Sequence, residues 1–255
     1  MIEGWDYIFI ALAALAAGAI NALAGGGTLI SFPVLIAVGV PPVASNITNT
    51  VSLLPGYIGG TLAQWADIKT QMKRLWLILP ASIVGGLLGG ILLVVTGEKV
   101  FGQIVPYLIL LASLLLAVQD PVRAWLLKRA AEKGSGKVSE FWSTVPIGLA
   151  SVYGGYFGAG LSVIVLAALG LTVDESLTKL NALKQAVSFS VNVAAAVFFV
   201  FSGYVIWNVV LVMAVAALIG GWLGGKLAGS IKPNHLRWLV VSIGVVVGII
   251  YLIRG

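Results

Sequence analysis

Twice in this chain a short apolar run follows directly on a cluster of small residues. The first copy reads Asn21-Ala-Leu-Ala-Gly25-Gly26-Gly27-Thr28 and continues apolar to Val40. The second reads Val152-Tyr-Gly-Gly-Tyr-Phe-Gly158-Ala159-Gly160-Leu161 and continues to Leu171. An ordinary membrane helix needs roughly 20 apolar residues, and these runs fall short of that. Interrupted hydrophobic segments at corresponding places in two halves of a chain point to a binding site built from broken helices, as in transporters.

The surrounding composition sets the solvent. Charged residues are 9% of the chain and hydrophobic residues 60%, whereas a soluble domain carries about 25% charge. Mean hydropathy is +1.07. The net charge of +6 does not imply nucleic-acid binding, because the basic residues sit mostly in short loops, where they orient membrane spans. With no cysteine, disulfides, thiolate metal sites and redox thiols are excluded. The N-terminus carries Glu3 and Asp6 instead of a basic leader, so no cleavable signal peptide is expected.

Ten apolar segments follow from the hydropathy pattern: 5–24, 28–40, 44–63, 75–96 and 101–118, then 141–157, 161–171, 182–202, 204–225 and 236–254. A polar stretch, 119–140, containing Lys133-Gly-Ser-Gly-Lys137, reads as a flexible connection between a first repeat, 1–118, and a second, 141–255. Gly25-Gly26-Gly27 aligns with Gly158-Ala159-Gly160 at an offset of 133. The pair Gly85-Gly86-Leu-Leu-Gly89-Gly90 and Gly220-Gly221-Trp-Leu-Gly224-Gly225 recurs at an offset of 135. These last glycines read as close-packing positions between membrane helices; their recurrence in order argues for duplication.

Five segments per half is odd, so the halves are expected to be inverted. The charges agree. Lys69, Lys73 and Arg74 have no basic counterpart near Gly203, and Lys99 stands opposite Lys226, Lys232 and Arg237. The basic side, with the linker, is expected to be cytoplasmic and both termini external. The expected fold is an all-α polytopic membrane protein of two inverted repeats, each with a glycine-broken helix pair that re-enters or crosses.

A helix beginning after Gly27 presents its first backbone N–H groups and its dipole at the tip, which suits an anion. Thr28 can cap or donate. Gly158, Ala159 and Gly160 offer a second tip, and two facing tips would surround a small oxyanion. A tight membrane turn is the plainer reading of either glycine cluster. Asn46, Thr48, Asn49, Thr50 and Ser52 cluster in the third segment; Asn181, Lys184, Gln185, Ser188 and Asn192 form a polar helix face in the matching one. Interhelical hydrogen bonding would explain the amides and hydroxyls. Lys184 either snorkels to the surface or neutralises a bound anion. Every carboxylate lies near a segment end or in a loop, leaving none in an obvious position to hold a cation or relay a proton. His235 reads as a surface residue. Neither H-E-x-x-H nor G-x-S-x-G occurs, so no catalytic centre, metal site or cofactor is expected.

The run Asn21 to Thr28, with Pro33, Gly39 and Ala44 to Thr48, resembles the first signature of the TauE/SafE sulfite-exporter family. Gly155-Tyr-Phe-Gly-Ala-Gly160 with Gly170 is similar to its second, and the resemblance covers essentially the whole chain. Asn181 stands where a threonine is expected, followed by Lys184. The resemblance implies export of sulfite, sulfonates or related sulfur oxyanions across the bacterial inner membrane. The candidate substrate-binding set is therefore Asn21, Gly25, Gly26, Gly27, Thr28, Asn46, Thr48, Asn49, Gly158, Ala159, Gly160, Asn181, Lys184 and Gln185. The expected partners are a small anion and the lipid bilayer, with no nucleic acid. An importer of another small organic anion and a non-transporting scaffold subunit are the alternatives.

Overall fold

A computed structural model describes residues 2–23, 26–132, 143–227 and 233–254. All regular structure among them is helical: α1 (Gly4–Leu23), α2 (Thr28–Ala37), α3 (Pro42–Ala63), α4 (Trp65–Thr70), α5 (Met72–Ala117), α6 (Gln119–Glu132), α7 (Thr144–Tyr156), α8 (Leu161–Thr172), α9 (Leu177–Val200), α10 (Trp207–Leu227) and α11 (Pro233–Arg254). Five of these, α1, α5, α9, α10 and α11, are long and apolar enough to cross a bilayer. Large side chains such as Trp76, Val95, Leu149, Leu211 and Ile253 stand exposed around the outside. So much exposed apolar surface is expected only of a protein bathed in lipid.

The hydropathy segments fall on helices, with two departures. Segments 75–96 and 101–118 belong to one element, α5, which folds back at Gly97. That residue has φ 72° and ψ 168°, a conformation open to glycine but strained for a side chain. The other departure is the linker. Its first part, expected to be flexible, is the helix α6. The sequence Arg-Ala-Trp-Leu-Leu-Lys-Arg-Ala-Ala-Glu is rich in strong helix formers, and Pro121 stands in the first turn, where proline is tolerated. The Gly-Ser-Gly stretch lies outside the described residues.

α2 has 10 residues and α8 has 12. At 1.5 Å per residue they reach about 15 and 18 Å, roughly half the hydrocarbon thickness. Both end in extended or turn backbone before the next helix, α2 through Gly39 at φ 86°.

Packing alternates between the parts of the chain before and after the linker. α10 lies on α1, α7 on α5, and α3 against α9. The glycine motifs make the first two contacts. A Cβ built on Gly220 would lie 1.9 Å from the Leu15 carbonyl oxygen in α1, and one on Gly224 2.6 Å from that of Ala19. On the other side a Cβ on Gly89 would lie 2.1 Å from the Val152 oxygen in α7, and one on Gly155 2.0 Å from that of Gly86. Each glycine motif thus beds on the first helix of the opposite part. Backbones this close gain dispersion contacts that larger residues would forbid.

The central core joins both parts: Leu29 and Phe32 of α2, Ile109, Ala112 and Leu116 of α5, Phe157 and Ala159 between α7 and α8, and Phe199 of α9. Phe32 meets Phe157 edge-on with ring centroids 5.4 Å apart, a favoured aromatic geometry.

Glu98, beside the α5 turn, accepts from the backbone N–H of Val43 at 2.7 Å and Ala44 at 3.2 Å. It caps α3, whose N-cap position is occupied by Pro41 and has no side-chain acceptor. At the opposite ends of α5 stand two ion-pair clamps. Arg74 pairs with Glu175 at 2.5 Å, and Lys179 pairs with the same carboxylate at 2.9 Å. Arg237, buried, makes a two-pronged pair with Asp120. Each clamp ties the part before the linker, or α6, to the part after it.

Candidate functional site

The two glycine tips arrive at the same turn of α5. A Cβ on Gly26 would lie 2.4 Å from Leu116 Cδ1, and one on Gly160 3.0 Å from Leu115 Cδ1. Gly26 and Gly160 both have positive φ, 91° and 78°. Tyr153 anchors the second tip by donating its hydroxyl to the Ala159 carbonyl at 2.6 Å. Asn21 anchors the first: its Oδ1 accepts the Gly27 N–H at 2.8 Å. Thr28 opens α2, and Gly25 lies outside the described residues.

Some tip donors expected to face an anion are already engaged. The N–H groups of Leu29, Ile30 and Ser31 reach Gly26 and Gly27 carbonyls. Those of Leu161 and Val163 reach Gly158 and Gly160. The tips also close onto packed apolar side chains. Added bulk at Gly26 or Ala159 would disturb this packing as well as a ligand.

Polar side chains of α3 connect the two tips. Asn49 Oδ1 accepts from Ser31 Oγ in α2 at 2.5 Å. Asn46 Nδ2 donates to the Tyr156 carbonyl, just before the second tip, at 2.9 Å. Thr48 Oγ1 accepts from the Ile206 N–H at 3.2 Å. Asn46, Thr48 and Asn49 are all essentially buried. The Asn46 Oδ1 has no protein partner, which leaves one buried acceptor free in the middle of the constellation. Among the described residues the buried polar groups are Asn, Gln, Ser, Thr and Arg237, with no carboxylate.

Asn181, Lys184 and Gln185 do not join this cluster. Gln185 Nε2 donates to the Tyr57 carbonyl at 3.5 Å. Thr48, nearer the start of α3, instead meets Ile206, beyond the end of α9. α3 and α9 therefore run antiparallel. Asn46 and Tyr57 are about 16 Å apart along α3, so Asn46 and the polar face around Gln185 lie at opposite ends of one helix pair. Lys184 Nζ donates to Asn181 Oδ1 at 3.2 Å. The residues that build the site but were not singled out as candidates, Ser31 and Tyr153, could have been sought one turn from a tip or an asparagine. Which partner each finds is a tertiary fact.

His235 is exposed, and so are Trp5, Trp65, Trp76, Trp207 and Trp238, as interface anchors should be. Trp142 lies outside the described residues. An aliphatic groove between α1 and α10, lined by Leu12, Leu15, Leu211, Val215 and Ile219, has nothing to hold a polar solute and faces lipid.

Multiple apolar spans, two half-length helices and a buried amide cluster between them define a polytopic helical membrane protein built as transporters are. The chain belongs to the sulfite exporter TauE/SafE family, whose match covers residues 10–251. It is 26% identical, over 87% of its own length and 85% of the relative's, to a probable membrane transporter protein of Haemophilus influenzae. It is 25% identical to the probable membrane transporter protein ORF9 of Sinorhizobium sp., over 94% of this chain and 90% of that one. It is 24% identical to the probable membrane transporter protein YfcA of Escherichia coli strain K12, over 91% and 84%. No solved structure matches it. The protein is thus a membrane transporter, not an enzyme, and the scaffold alternative falls away.

Proposed function

We propose that this transporter is a permease of the bacterial inner membrane that exports small sulfur oxyanions such as sulfite or sulfonates. The observation that carries the reading is the convergence of both glycine tips on one turn of α5, bridged by Asn46 and Asn49. Such a site offers amide and backbone dipoles at depth, which an oxyanion can use in place of water. The substrate contacts are assigned to Thr48 and Asn49, with tip backbone from Gly26 to Thr28 and from Gly158 to Gly160. Asn21 holds the first tip in position, and Asn46, donating to Tyr156, holds the second. The family name supports the sulfur oxyanion; the same dipoles would serve a carboxylate, and an importer of another organic anion is the second reading.

The exchange of partners between the two parts of the chain, α1 with α10 and α7 with α5, supports inverted repeats spanning 1–118 and 141–255. The basic ends of α5, α9 and α11 support a cytoplasmic side that also carries the linker.

A cell interior negative by 100 mV favours exit of each negative charge by roughly 2.3 kcal/mol. Export therefore needs no coupled ion, in keeping with a buried polar set free of carboxylates among the described residues. Radiolabelled sulfite flux in proteoliposomes, under a valinomycin-set potential and with a panel of competing anions, tests the reading. We expect voltage-driven, sodium-independent sulfite movement. Flux that ignores voltage, or that needs a sodium gradient, would contradict the uncoupled mechanism; preference for a carboxylate would select the second reading.

A further inference from the structure

The polar face of α9 has a feature the tips do not explain. Buried serines in these helices return their hydroxyl proton to the backbone four residues earlier. Ser52, Ser82, Ser113 and Ser151 do so at 2.6–2.9 Å. Ser188 does not. Its side chain is 4% exposed and its Oγ has no partner. An unmet buried hydroxyl costs stability, and one on a helix can ordinarily relieve that cost by back-bonding.

Lys184 stands one turn before Ser188 on the same face. It is half-buried, and its ammonium donates to Asn181. No carboxylate pairs with it among the described residues. Asp120 is committed to Arg237, and Glu175 to Arg74 and Lys179. A half-buried cation with no paired carboxylate, beside an unused donor, lacks an anion.

We infer that Lys184 and Ser188 form a second oxyanion station at the end of the bundle where α9 begins, separate from the Asn46 and Asn49 cluster. Lys184 supplies charge and Ser188 a hydroxyl proton to one tetrahedral or pyramidal oxyanion. Asn181 positions the ammonium. The inference rests on the permease reading only in placing this station on the path to the tips; binding itself does not require transport.

The experiment uses the full-length purified chain in detergent and measures protection from thermal unfolding by sulfite, sulfate and methanesulfonate. Ser188→Ala is the informative variant. Losing an unpartnered hydroxyl should leave the unliganded melting temperature unchanged or raised, while weakening sulfite binding by about tenfold, the size of one charge-assisted hydrogen bond. Lys184→Gln should weaken it further, and Lys184→Arg should restore it. Ser190→Ala, which removes a hydroxyl bonded to Ala186, should not change affinity. Absence of oxyanion binding to the wild type would overturn the station, as would wild-type affinity in both Ser188→Ala and Lys184→Gln. Binding with these losses but without flux in proteoliposomes would uphold the station and refute the permease.

Discussion

Single atoms decide much of this fold. Gly220 and Gly221 are neighbours in one motif, yet their surroundings differ sharply. A Cβ at Gly220 meets the Leu15 oxygen at 1.9 Å, whereas one at Gly221 has its nearest atom, the Gly18 oxygen, at 3.8 Å. Gly220→Ala must push α10 off α1, and overpacking of this kind costs about 1–3 kcal/mol. Gly221→Ala should be tolerated. Fluorescence-detected size exclusion and melting temperatures should show loss of monodisperse protein for the first variant and wild-type behaviour for the second. Sequence reading identified the motif and its packing role, because small residues at helical spacing have that use in lipid. It could not tell which glycine touches, since that depends on the rotation of both helices.

At the level of elements, the glycine breaks and the hydropathy runs marked the helices well, because short apolar runs bounded by Gly and Pro leave few alternatives. The charged helix α6 is hard to see in the sequence because the Gly-Ser-Gly stretch that follows gives the whole of 119–140 the polarity of a connection, although good helix formers run up to Glu132. Its attachment was also invisible. Asp120 opens α6 and grips the buried Arg237 of α11. The two partners are not equivalent. Asp120 is half-exposed, so the pair itself is worth only about 1 kcal/mol, but Arg237 left alone would be a buried charge. Asp120→Ala should therefore lower the melting temperature more than Arg237→Leu, which removes the charge together with its need. The hydrogen bond from Arg237 holds the Asp120 carboxyl below its ordinary range. For Glu175, burial pushes the other way, but hydrogen bonds from Arg74 and Lys179 prevail and lower it. A carboxyl depressed in the fold stabilises fully above its unfolded pKa and loses that contribution as pH falls through the folded value. Wild-type melting should be flat near neutrality and decline below about pH 4, with a shallower decline in Asp120→Asn.

For the whole molecule, the sequence offered a symmetry and the packing offers its use. Matching polar clusters read as one site because the two sequence motifs align. The antiparallel run of α3 and α9 instead places Asn46 and Lys184 at opposite ends of the pair, a separation that alignment alone does not reveal. The proposed orientation in the membrane can be tested directly. The proposed cytoplasmic loop at Ser135 lies outside the described residues, so exposed positions elsewhere serve. Thr70, at the end of α4, and Lys99, beyond the α5 turn, are both exposed and stand at the two ends of the first arm of α5, Met72 to Gly97. In this cysteine-free chain, Lys99→Cys should react with an impermeant maleimide in intact cells and Thr70→Cys only after permeabilisation. The reverse pattern would invert the molecule in the membrane.

The bedding of α10 on α1 also fixes an order in time. Leu15 of α1 precedes Gly220 of α10 by 205 residues, so α1 is made well before the surface that receives its backbone. At about 5–20 residues per second, the first helix stands in the bilayer on the order of 10–40 s with lipid where Gly220 will later lie. α7, by contrast, finds the glycines of α5 already waiting. The second half of the chain is thus laid down on a finished template, while the first is completed only retroactively. A ribosome that stalls before α10 leaves behind a first helix with its closest neighbour still unmade.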